Sequence, residues 1–216
     1  LANEPPDDPG GLWRDTLGAV DAIPPHRPLL RLAALFHAVG MPPARTRDLR
    51  GGWRYVGHEL LGARRAGDVM QRLKSSNADT ERVVRLVRHQ PELFPPDAPD
   101  AGVRRWLRYV GPDLVADLFR LRFALWRGRA KATDEGEGPE DLIERVRKAR
   151  RVARGDPALR TRDLAIGGED LKELGLRPGP RFGEILEDLL ERVIEDPSLN
   201  RRDRLLAVVR EAWLHE

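Results

Sequence analysis

The 216-residue chain contains no cysteine. That excludes a disulfide framework and thiolate chemistry, and it fits a cytoplasmic setting. No apolar run approaches the ~20 residues needed to cross a bilayer, so no membrane partner is expected. A signal peptide is missing too: the opening LANEPPDDPG is acidic and proline-rich, not basic and then apolar. Residues 1–10 therefore read as a disordered leader, and the absence of an initiating methionine suggests a region excised from a longer protein. Lysine is scarce, present only as Lys74, Lys131, Lys148 and Lys172, so nearly every cation is arginine. A GC-rich genome produces such a bias by itself, but planar guanidinium forks also suit phosphate. The net charge of +3 is too small to name a partner.

What is present has helical periodicity. Hydrophobic residues make up 40% and charged residues 34%, a balance that suits helices with one apolar stripe and a charged outer face. Trp13, Leu17 and Val20 predict a helix that Pro24-Pro25 ends. Leu29, Leu30, Leu32, Ala33, Leu35 and Phe36 predict a buried central helix, closed by Gly40 and Pro42-Pro43. Residues 43–56 read as a loop. A helix from about His58 to Leu73 should bury Leu61, Ala66, Val69 and Leu73. Asp79 or Thr80 should cap a helix over 81–89, and two more helices follow near 101–110 and 113–127.

Residues 129–138 lack periodicity and read as a linker. Beyond them the sequence predicts a helix from Pro139 to about Arg154, acidic at its start and basic at its end. An extended piece over 163–166, a short helix over 169–174 and a long helix from Pro180 follow, and Asn200 with Asp203 opens the last helix. No strand stands out. The expectation is an all-α chain with a helical bundle over 11–128 and a helical tail over 139–216.

Two segments resemble a known family. LLRLAALFHAVGMP (29–42) with GHELLGARRAGDVMQRLKSSNADTERVVRLVRHQ (57–90) resembles the HD-type region of bacterial CCA-adding tRNA nucleotidyltransferases and poly(A) polymerases. DLAIGGEDLKELGLRPGPRFGEILEDLLERVIEDPSLNRRDRLL (163–206) is similar to the tail of the same enzymes. The resemblance implies a parent enzyme of tRNA processing that adds nucleotides to tRNA 3′ ends with nucleoside triphosphates and Mg²⁺. That chemistry needs an Asp-x-Asp pair to hold the metals, and no two aspartates here are separated by a single residue. The chain is therefore expected to hold no catalytic residue and no cofactor of its own, its partners being tRNA and a nucleotidyltransferase head domain.

An HD site holds a divalent metal through histidines and aspartates. Here the His-Asp pair reads His37-Ala38, the first-histidine position holds Asp15, and the distant aspartate is replaced in Arg122-Phe-Ala-Leu125. His37 and His58 are thus expected as vestiges of a metal site, hydrogen-bonded to each other beneath the loop 43–56, with no metal bound. His26, His89 and His215 read as solvent-facing.

Shape-specific binding of tRNA calls for arginines on rigid supports, with aromatic rings where bases stack. Four clusters qualify. The first is Arg45, Arg47, Arg50 and Arg54, interleaved with Trp53 and Tyr55. The second is Arg64, Arg65, Arg72 and Lys74. The third is Arg104, Arg105 and Arg108, beside Trp106 and Tyr109. The fourth is Arg145, Arg147, Lys148, Arg150, Arg151 and Arg154. A fifth candidate is the turn Gly175–Gly183, where Pro180 opens a helix whose free N–H groups suit a phosphate, with Arg177 and Arg181 beside Gly179. A solvated face paired with nearby acids explains each cluster equally simply, and a tight turn needing Gly179 at positive φ explains the last. Two other functions stay open: an HD-type metal-dependent phosphohydrolase, and a helical interaction module that forms a homodimer through its tail.

Overall fold

The computed structural model describes residues 11–49, 52–129, 138–155 and 157–214. The leader 1–10, most of the linker 129–138, Arg50 and His215 fall outside the described residues. The fold is all-α, with one small exception. The helices are α1 (Gly11–Asp21), α2 (Pro28–Phe36), α3 (Met41–Ala44), α4 (His58–Arg72), α5 (Asn77–His89), α6 (Asp100–Val110), α7 (Val115–Gly128), α8 (Pro139–Arg154), α9 (Gly168–Glu173), α10 (Pro180–Glu195) and α11 (Arg202–Trp213). The exception is a hairpin of two antiparallel two-residue strands, β1 (Thr46–Arg47) and β2 (Trp53–Arg54), inside the segment read as loop. Its register pairs Thr46 with Arg54 and Arg47 with Trp53. Asp48 closes it, accepting from the Gly52 amide at 2.8 Å. Strands this short carry no periodicity to read.

The chain divides into two compact units. One holds the residues up to Leu93 together with 110–146; the other holds 94–109 and 147–216. The sequence reading placed α6 in the first bundle, whereas its packing groups it with the tail. Within that second unit Trp106 meets Phe94 edge-on at 5.1 Å.

In the first unit α2 is the central helix as expected, burying Leu30, Ala33, Ala34 and Phe36. The faces of α1 and α4 differ from the apolar stripes. Trp13 and Leu17 are exposed, and α1 instead buries Gly11, Thr16 and Ala19. Small residues explain the choice, because Gly18 and Gly128 face each other too closely for a Cβ. Similarly α4 buries Gly62, Ala63, Ala66 and Met70 and leaves Leu73 exposed, since Gly40 packs against the His58–Gly62 backbone. Close backbone approach decides which face turns inward.

Helix α5 starts four residues before the expected segment, capped by Ser76 rather than Asp79 or Thr80. The Ser76 hydroxyl accepts from the Asp79 amide at 3.1 Å. Asp117 of α7 accepts from Arg82 of α5 at 2.5 Å and from Arg120 at 2.7 Å. Burial pushes this carboxyl up, but the two guanidiniums outweigh it and hold it below the usual range.

In the second unit the core is Leu171 of α9, Ile185, Leu189, Leu190, Val193 and Ile194 of α10, and Leu205, Leu206 and Val209 of α11. Each buried leucine or isoleucine contributes about 1.5–3 kcal/mol relative to exposure. A 3₁₀ turn, Thr161–Asp163, leads into the piece read as extended, where Leu164 has the extended backbone expected, and that piece is pinned by Asn200. The Asn200 side chain accepts from the Ala165 amide at 2.7 Å and donates to the Asp163 carbonyl at 3.0 Å. Asn200 thus clamps two segments and does not open α11, which starts at Arg202.

Candidate nucleic-acid interface

The hairpin gathers the first cluster. The guanidiniums of Arg45 and Arg47 lie over the Trp53 indole, 4.3 and 4.6 Å from its centre. The strand register causes this, since Arg47 pairs with Trp53 and Arg45 projects from the same face two residues earlier. Arg54 reaches Asp48 at 3.9 Å, both partly exposed. The result is an indole already flanked by two guanidiniums.

On α4, Arg64 and Arg72 are exposed. Arg65 is exposed as well, but its guanidinium donates to the Val39 carbonyl at 3.1 Å, which ties α4 to the end of the α2–α3 connection.

The third cluster is engaged within its own unit. Arg104 donates to the carbonyls of Ile194 and Glu195, at 2.6 and 3.1 Å, and so caps the C-terminal end of α10. Arg105 bonds Glu191 and Glu195. Arg108 bonds Glu191 at 2.6 Å and Glu187 at 2.5 Å. These arginines clamp α6 to α10, and the hydrogen bonds that Arg105 donates to Glu191 and Glu195 raise its pKa further.

On α8, Arg151 forms a two-pronged bond to Asp100, both at 2.7 Å, which lowers the Asp100 pKa. Lys148 donates to the Pro96 carbonyl at 3.1 Å. Arg147, Arg150 and Arg154 are exposed. At 100° per residue they fall with Arg151 in an arc of roughly 100°, opposite the buried Ala149 and Val152.

The tail turn differs from its expected geometry. Gly179 is extended, with φ 165° and ψ −174°, so any residue fits there. Gly175 is the residue at positive φ, 85°. It ends α9 in a Schellman motif: the Gly175 amide donates to the Lys172 carbonyl at 2.8 Å and the Leu176 amide to the Leu171 carbonyl at 3.2 Å. Pro180 opens α10 as expected. Arg177 is exposed, while Arg181 rests over Trp213 at 5.7 Å and donates to that residue's carbonyl at 3.4 Å. At Gly179 a Cβ would stand in open space.

The histidines also depart from expectation. His37 and His58 do not bond each other. The Nδ1–H of His37 donates to the Ala34 carbonyl and that of His58 to the Tyr55 carbonyl, both at 2.7 Å, because each ring sits at a chain turn with its own backbone acceptor three residues upstream. Burial, more than any charge, lowers the His37 pKa. His26 faces solvent, but His89 is buried at 6% exposure. Among the described residues no three His, Cys, Asp or Glu side chains converge as a metal site. One cavity of about 280 Å³ is lined by Asp15, His37, Arg122 and Leu125, which joins three of the positions the HD resemblance singled out. Arg129 lines it too, and nothing in the sequence marks that residue apart from its neighbours.

Residues 129–209 match the family model described as tRNA nucleotidyltransferase domain 2. Over 167 residues the chain is 35% identical to the A-adding tRNA nucleotidyltransferase of Deinococcus radiodurans, covering 76% of this chain and 37% of that enzyme. Over 191 residues it is 36% identical to the CC-adding tRNA nucleotidyltransferase of Thermus thermophilus, covering 85% of this chain and 41% of that enzyme. The chain thus spans about two fifths of the length of the curated relatives it matches.

Proposed function

We propose, on the premise that this chain is a region similar to part of the CCA-adding tRNA nucleotidyltransferases, that it grips the body of tRNA and leaves nucleotide transfer to a head domain elsewhere in its parent. The observation that carries this reading is the exposed stripe of Arg147, Arg150 and Arg154 on α8, inside the domain-2 match. Arginines held on a rigid helix meet backbone phosphates at fixed spacing. Sequence-independent contacts of this kind suit a support that must accept every tRNA. The mechanism is positional: the grip fixes the distance from the tRNA body to its 3′ end, so the end reaches a remote active site in register. The hairpin with Arg45 and Arg47, and the exposed Arg177 at the tail turn, supply further phosphate contacts.

The experiment is a titration of the chain with fluorescent tRNA lacking its CCA end, against an RNA duplex of equal length, at two salt concentrations. Tighter binding to tRNA, weakening with salt and reduced in an Arg147→Gln/Arg150→Gln/Arg154→Gln variant, is the expected result. Absence of binding to either RNA at low salt refutes the reading for this chain. A dimer in light scattering, together with that absence, favours the interaction module instead.

A further inference from the structure

Three arginines that no stretch of sequence groups together meet at Asp117. Arg82 of α5 donates to Asp117 Oδ2 at 2.5 Å, and Arg120 of α7 donates to Oδ1 at 2.7 Å. The guanidinium of Arg27 stands 3.6 Å from the same Oδ1, beyond a hydrogen bond. Arg82 and Asp117 are 35 positions apart, so the group forms only in the fold. It lies within the first unit and outside the residues that the domain-2 family model matches.

The charges in this group do not balance. One carboxylate faces three guanidiniums, and each guanidinium carries five N–H donors. The Asp117 side chain is 13% exposed, against 37% for Arg27 and Arg82 and 48% for Arg120, so the cations face outward over the acid. One turn beyond Arg27 on α2, Arg31 reaches only the exposed Asp21, at 3.8 Å, a surface pair that contributes little. Arg27 is also the N-cap residue of α2, and no side chain caps that helix, so the positive end of its dipole adds to the patch. The neighbouring Arg85 is satisfied by contrast. It makes two bonds to Asp113, at 2.9 and 3.1 Å, and one to the Val110 carbonyl at 2.9 Å, with Glu81 nearby. A clamp between α5 and α7 needs only Arg82 and Asp117. Arg27, Arg31 and Arg120 exceed what that clamp requires.

We propose that Arg27, Arg31 and Arg120 form a further RNA-phosphate site, on the first unit, with Asp117 holding the cluster in place. This rests on the reading that the chain grips tRNA. Phosphate contacts carry no sequence information, but they fix register and orientation, and an added contact on another surface restricts rotation of the RNA about the α8 stripe.

Salt titrations of tRNA binding by the whole chain test the proposal. Arg27→Gln/Arg31→Gln removes the two most loosely held cations. It should keep the wild-type melt and reduce the slope of log affinity against log salt by about 1 to 2, and Arg27→Gln alone should reduce it by about half as much. Arg85→Gln, which removes a satisfied cation from the same surface, should leave the slope unchanged. The Arg147→Gln/Arg150→Gln/Arg154→Gln variant is titrated in parallel. A slope that falls in the α8 variant but not in folded Arg27→Gln/Arg31→Gln would overturn this site and leave the α8 grip standing. An equal fall in Arg85→Gln would overturn it as well, because diffuse charge and not contact would then set the slope. Absence of tRNA binding by the wild-type chain at low salt would overturn both readings. A melting temperature raised by inorganic phosphate in the wild type but not in the variant, with the tRNA slope unchanged, would make this a free-anion site and overturn the RNA assignment.

Discussion

Gly175 and Gly179 stand four residues apart in one turn and have different requirements. Only Gly175 is left-handed, at φ 85°, so Gly175→Ala should cost about 1–2 kcal/mol in urea unfolding. Gly179 is extended and open, so Gly179→Ala should leave the urea midpoint unchanged within error. If tRNA lies against this turn, the same variant should weaken tRNA binding without touching stability. The sequence shows that a turn exists, but not which glycine it needs, because that depends on how α9 ends. His37 was legible as a residue of interest through its motif, while its partner was not. Burial holds its pKa below the ordinary 6.5, so between the two values the unfolded chain binds a proton that the folded chain does not. The stability His37 contributes is therefore present above the unfolded value and lost as pH falls. Thermal melts between about pH 7 and 5 should show a falling midpoint. His37→Asn should flatten that slope in part, the remainder coming from His89, which burial also lowers.

At the scale of the element, helix existence and type were legible almost throughout, because 3.6-residue periodicity and proline punctuation are local signals. Burial faces were less so. Helices α1 and α4 turn glycine and alanine inward, and a hydrophobicity pattern cannot show that Gly18 meets Gly128 or that Gly40 meets the α4 backbone. The arginine clusters were legible as clusters, but their partners were not. Arg108 and Glu187 are 79 positions apart, and Arg104 and Glu195 are 91 apart. This distinction yields a ranking. Arg104 satisfies backbone carbonyls at a helix end in a part-buried setting, where a charged hydrogen bond contributes about 1.5–3 kcal/mol. Arg105 makes exposed ion pairs, worth about 0–1 kcal/mol. Arg104→Ala should therefore lower the urea midpoint clearly more than Arg105→Ala; equal losses would mean that the capping account of α10 is wrong.

At the scale of the whole molecule, the order and spacing of two motifs made the kinship readable, and 35–36% identity to two tRNA nucleotidyltransferases agrees with it. The proposed tRNA grip rests on cations that remain on the surface after structural pairs are set aside, a sorting that only three-dimensional contacts permit. The most direct test counts phosphate contacts. Each neutralised phosphate contributes roughly 0.7, for a single strand, to 0.9, for a duplex, to the slope of log affinity against log salt. The slope for tRNA should be smaller by about 2 to 3 in the Arg147→Gln/Arg150→Gln/Arg154→Gln variant than in the wild-type chain, with the thermal melt unchanged. An identical slope in the folded variant would contradict the account, because α8 would then carry no part of the grip.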